Sequence, residues 1–155
     1  FINIGLHPLG LPMLSTEELI IPNLPSESEC IIRQRIEQVI SSPTAERFKK
    51  ELVAVNNMEV VGELIDVISE IDQWFKEWGS FQKIENMEFD EAVNMLTVVP
   101  VLKKKAFYML KCYCANRSGN SETARNNFNA YLSESIDVFD FHHVDKFLNV
   151  LINTA

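Results

Sequence analysis

The stretch Met58–Trp78 reads MEVVGELIDVISEIDQWFKEW, and its reading decides the fold class. Val61, Leu64, Ile68, Ile71, Phe75 and Trp78 recur at alternating three- and four-residue steps. Val60, Leu64, Val67, Ile71, Trp74 and Trp78 form a second, offset stripe. That spacing is helical, because a strand would alternate every second residue. Two stripes make a face wide enough for neighbours on two sides, which places this helix near the centre of a bundle or solenoid. The heptad is too short for a coiled coil. Gly79 stands where a left-handed cap would end the helix.

Helical signals continue on both sides. Downstream, the pattern predicts helices over Asp90–Val99, stopped by Pro100, and over Val101–Ala115. Ser118-Gly119-Asn120 turns the chain into a helix over Ser121–Leu132. A last helix over Phe141–Ile152 is capped by Asp140 and turns Phe141, Val144, Phe147, Leu148 and Leu151 inward. Upstream, Ser26 and Glu29 form a capping box that opens a helix bearing Ile32, Ile36, Val39 and Ile40. Ser42-Pro43 starts another, striped by Phe48, Leu52 and Val55 and broken at Asn56-Asn57. No run reads as a strand. The expected fold is all-α: six to seven helices in antiparallel hairpins, stacked as repeats or packed as an irregular bundle.

Residues 1–25 differ from the rest. They hold four of the six prolines and many apolar side chains, which predicts an extended arm with one turn at Ser15–Leu19 capped by Ser15. The arm either packs along the helical body or docks on a partner or neighbouring domain. Residues 26–155 then form a single helical domain. A first residue of Phe, not Met, suggests a fragment of a longer protein.

Composition narrows the function classes. The 155 residues carry 22 Asp and Glu against 14 Lys and Arg, a net charge of −8. That argues against nucleic acid, whose affinity comes from cations on phosphates. No apolar run is long enough to span a membrane. Cys30, Cys112 and Cys114 are few, odd in number and not spaced for zinc, which suits a reducing compartment such as the cytoplasm. No glycine-rich phosphate loop, G-x-S-x-G or H-E-x-x-H is present, so catalysis has no support and no cofactor is expected. Asp140, His142, His143 and Asp145 fall short of a metal set, since adjacent helical histidines diverge by about 100°. Glu63 with Asp66 and Glu70 with Asp72 read as a solvated helix face.

A recurrence points to partner binding. Glu88–Val93 returns in altered form at Asn120–Arg125, with Ala92 and Ala124 32 residues apart. Each alanine is followed four residues on by a large apolar residue, Leu96 or Phe128. A small residue lets two antiparallel helices approach, and the large one fills the next gap. Tyr108, Cys112, Ala115, Gly119, Ala124 and Phe128 stand where the tetratricopeptide repeat has its signature positions, and the chain resembles that family over about residues 85–135. The Trp-Leu-Gly run and the final Pro of the family are absent, and its period is 34.

The resemblance implies peptide or protein binding, in a groove lined here by Ala106, Met109, Tyr113 and Asn116. Met109 and Tyr113 replace the polar residues of a carboxylate clamp, which suits a partly apolar ligand such as an amphipathic helix. Alternatively, these residues pack against a neighbouring helix or the arm. Lys103, Lys104 and Lys105, with Lys111, form the one basic cluster, either a contact for an acidic partner or a solvated helix start. The function expected is thus an adaptor, scaffold or regulatory module, bound to a protein, a peptide or another domain of its own chain. Two rivals remain: an all-α enzyme or metal-dependent effector around Asp140–Asp145, and a structural subunit that oligomerises through its arm.

Overall fold

In the computed structural model, which describes residues 3–41 and 58–154, the chain opens on a strand. β1 (Asn3–Leu6) pairs antiparallel with β2 (Ile32–Arg35), Gly5 opposite Arg33 and Leu6 opposite Ile32. This corrects the all-α expectation: Ile32–Arg35 is a strand where a helix was expected, and Asn3–Leu6 of the extended arm joins it in a sheet. Only half of the Ser26 capping box forms: the Glu29 carboxylate accepts the Ser26 amide at 2.8 Å, but the Ser26 hydroxyl donates to that carboxylate at 2.6 Å, and the Glu29 N–H goes to the Ser26 carbonyl at 2.9 Å. The two bonds to the carboxylate, the hydroxyl's first, hold the Glu29 carboxyl below its ordinary range. The half box closes only a 3-10 turn at Glu27–Glu29. The chain then runs extended into β2 because distant backbone meets it. Arg33 donates its N–H to the Met95 carbonyl at 2.8 Å, and Thr97 donates to Ile31 at 3.2 Å. Long-range ladder partners override the local helical spacing of the isoleucines. Gly5 is needed here, since a Cβ would lie 2.7 Å from that of Cys30.

α1 (Ile36–Val39) is a single turn. The helix expected from Ser42-Pro43 onward lies outside the described residues. α2 (Met58–Trp78) matches its expected span. Val67, Trp74 and Trp78 of the offset stripe are buried, whereas Ile68 is 61% exposed and Phe75 40% exposed. Among the described side chains, only the offset stripe is therefore inward. Trp74 Nε1 donates to Gln34 Oε1 at 2.9 Å, tying α2 to β2. Gly79 does not adopt the expected left-handed conformation.

α3 (Phe81–Glu85) lies between two expected helices where none was anticipated, with Ser80 Oγ accepting from the Lys83 amide. α4 (Phe89–Ala92) is one turn rather than a helix to Val99, because Leu96 leaves it to bridge to Ile32. A 3-10 turn at Pro100–Leu102 leads into α5 (Lys103–Arg117). Gly119, at φ 78°, reverses the chain, and Asn120 caps α6 (Ser121–Ser133) through the Thr123 amide. α7 (His142–Asn153) completes the order, the Asp140 carboxylate accepting the His142 N–H at 2.9 Å. Phe141, Val144 and Leu148 are buried, as its stripe required, Phe147 and Leu151 pack at the edge, and Ile152, outside the expected stripe, is buried too.

α5 is the hub. Residues on all its sides are buried, including Ala106, Met109, Leu110 and Cys114. Its polar side chains serve the ends of other helices. Lys103 Nζ donates to the Val93 carbonyl at the end of α4. Lys105 Nζ donates to Tyr131 and Glu134 carbonyls at the end of α6, at 3.1 and 3.3 Å. Lys111 Nζ reaches the Met87 carbonyl just past α3 at 2.9 Å, and Asn116 Nδ2 the Leu151 carbonyl of α7 at 3.1 Å. Final carbonyls of a helix lack intrahelical donors and carry partial negative charge, so cations belong there.

The N-terminal segment docks on the same hub. Leu11 and Pro12 are fully buried, and the Tyr113 hydroxyl donates to the Leu9 carbonyl. Gly10, at φ 84°, passes so close that a Cβ would lie 2.6 Å from the Tyr113 oxygen. Ser15 caps no helix; its Oγ accepts the Glu17 and Glu18 amides in a bend. Leu11→Ala is expected to lower unfolding free energy by about 2–4 kcal/mol. Urea midpoints measure this, and a loss under ~0.5 kcal/mol would show that residues 9–12 do not pack on α5 in solution.

Candidate functional site

The α6–α7 connection, Glu134–Phe141, is unusually apolar for a loop. Ile136, Val138 and Phe139 alternate with Asp137 and precede Asp140. The Phe139 amide bonds the Ile136 carbonyl at 2.9 Å, and this turn holds Val138 85% exposed and Phe139 43% exposed. Opposite stands the loop of residues 13–20, closed by the Met13 amide on the Ile20 carbonyl at 2.8 Å. Ile20 and Ile21 also face water. Two open cavities flank Phe139 and Phe141, which wall both. One, of about 350 Å³, is lined mainly by Met13, Leu14, Ile20 and Leu102. The other, of about 240 Å³, reaches Lys105, Leu132, Asp137, Asp140 and Asp145. Sharing Phe139 and Phe141 as walls, the two adjoin as a cleft along the α6–α7 loop, and the larger one reaches the N-terminal segment.

The floor of the smaller cavity is a closed polar cluster. Lys105 is 5% exposed, and its ammonium lies 3.8 Å from the Tyr131 ring centroid. Burial lowers its pKa, while Asp145 and Glu134 pull it back up. The Tyr131 hydroxyl donates to Asp145 Oδ1 at 2.7 Å, and burial first, then that bond, keeps the phenol protonated. The Lys105 ammonium and the Tyr131 hydroxyl are both held by internal partners. It rigidifies the floor of the cleft and presents no activated nucleophile.

The structure covers most of the residues singled out from the sequence. Ala106 and Met109 are fully buried and offer no surface in this conformation. Tyr113 is buried under residues 9–12, and Asn116 holds α7. Lys103 and Lys105 are bonded to helix ends, and only Lys104 of the run is exposed. No single open groove gathers them. The fold instead brings together Ile20, Phe139 and Asp137, which were not singled out. Their available signal was the run Ile136–Phe141, apolar residues interleaved with acids outside any helical period. The His142 and His143 rings do not diverge as expected but lie with centroids 3.7 Å apart. No group of three or more His, Cys, Asp or Glu side chains among the described residues is arranged to hold a metal. No described helix is long and apolar enough to cross a membrane.

Comparison with protein-family models, curated proteins and solved structures finds no match.

Proposed function

We propose that the protein is an interaction module that binds another protein through the cleft between residues 13–21 and 134–141. The observation that carries this is the exposed apolar side chains on its walls, Ile20, Leu132 and Phe139, with exposed Ile21 and Val138 next to them in the chain. Apolar surface grouped at a concavity and rimmed by polar residues is the usual mark of a docking site. The cavities, about 240 and 350 Å³, lie near or below the lower end of small-molecule sites, roughly 300–1,000 Å³. They suit single side chains of a polypeptide.

The tetratricopeptide-like reading of α5–α6 belongs here too. Its support is Ala124 at full burial, Phe128 buried one turn on and Gly119 at positive φ. On that reading the inner face of α5 is already covered by the chain itself, with residues 9–12 over Tyr113 and α7 at Asn116, and the partner takes the neighbouring cleft.

Peptides selected from a displayed random library against the whole protein test the assignment. Phe139→Asp should weaken the selected peptides roughly thirtyfold or more, as a charge replaces a central apolar anchor. Recovery of peptides that bind Phe139→Asp as well as the wild type, in a folded variant, would remove the cleft as the site.

A further inference from the structure

The charges around the cleft say what kind of segment it takes. Its walls carry four carboxylates, Glu17, Asp137, Asp140 and Asp145, against one ammonium, Lys105. The inner charges are spent. Asp145 holds the Tyr131 hydroxyl, and Lys105 is turned onto two carbonyls beneath the surface. The rim charges are not. Glu17 and Asp137 are exposed, and neither makes an ion pair among the described residues. Asp140 is exposed as well, with His142 Nδ1 at 3.3 Å.

Resting on the cleft being the binding surface, we propose that its occupant is a basic amphipathic segment of a partner protein. An apolar side chain enters beside Phe139 and Ile20, while Lys or Arg side chains lie against Glu17, Asp137 and Asp140. The apolar walls supply the desolvated contact, and the acidic rim selects the sign of the flanking charge. A second copy of this chain is disfavoured, since it would bring the same acidic rim and a net charge of −8. Nucleic acid and anionic lipid are repelled by the same carboxylates.

Fluorescence anisotropy with two labelled peptides of about 18 residues, five helical turns, tests this on the whole protein. One carries Leu on one face and Lys on the other, and its counterpart has Glu for Lys. The Lys peptide should bind roughly tenfold tighter or more at low salt, with that advantage shrinking as salt screens the rim. Glu17→Gln with Asp137→Asn should cost the Lys peptide roughly three- to tenfold. Glu122→Gln, exposed at the far end of α6, should cost nothing. Failure of the Lys peptide to bind, equal affinity for both peptides, or equal effects of the rim and Glu122 changes would overturn the charge assignment. If Phe139→Asp still abolishes binding in the last two cases, the cleft itself stands. If Phe139→Asp leaves the affinity of both peptides unchanged, the cleft falls with it.

Discussion

Tyr131→Ala is expected to lower unfolding free energy by about 3–5 kcal/mol, near the top of what one substitution does. Tyr131 is fully buried and joins three elements. Its ring stacks on Phe128 at 6.3 Å and 11°, and the Lys105 ammonium sits on it. Its hydroxyl reaches Asp145 on α7, and its carbonyl accepts from Lys105 on α5. Truncation opens a cavity and takes from Lys105 the nearer of its two aromatic rings, Phe141 lying farther off at 5.4 Å. Tyr131→Phe removes only the hydroxyl bond to a carboxylate, a loss of about 1.5–3 kcal/mol. Urea denaturation at neutral pH separates the two, read as midpoint shifts at constant slope. Equal losses for both variants would show that the ring does not hold the three helices together.

The second large effect is loss of stability in alkali. Burial pushes the Cys112 thiol from its ordinary 9.0 up to about 12. Cys114 is also raised to about 12, by burial first and then by Glu85 and Cys112. Tyr131 and Tyr113 are raised above their ordinary 10.0, burial again being the leading cause. A group whose folded pKa is raised contributes fully below its unfolded value and loses that contribution as pH climbs above it. For the thiols the loss begins near 9.0, and for the phenols near 10.0. By pH ~10.5 each thiol has withdrawn on the order of 2 kcal/mol. Lys105 runs the other way, because its folded pKa is lowered and its cost eases as pH rises. It is one group against four. The urea midpoint should therefore fall steeply between pH ~9 and ~11, and less steeply for Cys112→Ala with Cys114→Ala. A midpoint level from pH ~7 to ~10.5 would refute this account of the core.

The legible part of the sequence was local. α5, α6 and α7 could be placed because their signals lie within a few residues: Ser118-Gly119-Asn120 at a turn, Val144 and Leu148 one turn apart. The illegible part depends on distant chain. Ile32, Ile36 and Ile40 are spaced for a helix, yet Ile32 sits in a ladder with Leu6 on one side and Leu96 on the other. The lysines of α5 gave the same false lead. Their run reads as a basic patch, but Lys103, Lys105 and Lys111 end on carbonyls of segments that sequence spacing does not bring near. The cleft was hidden for a related reason. Residues 13–21 and 134–141 are far apart in the chain, and neither loop alone shows a concavity.

The two-sided pairing of β2 also bears on how the protein avoids sticking to its own kind. A strand with one open side is a template for another chain, the route to edge-to-edge aggregation and to partners bound as an added strand. On β2 that side is taken, since Arg33 N–H and the Ile31 carbonyl are already bonded to Met95 and Thr97. The outer strand, β1, is only four residues long, and such shortness is itself a common guard against templating. On the proposed reading, recognition falls to side chains rather than to a shared backbone ladder.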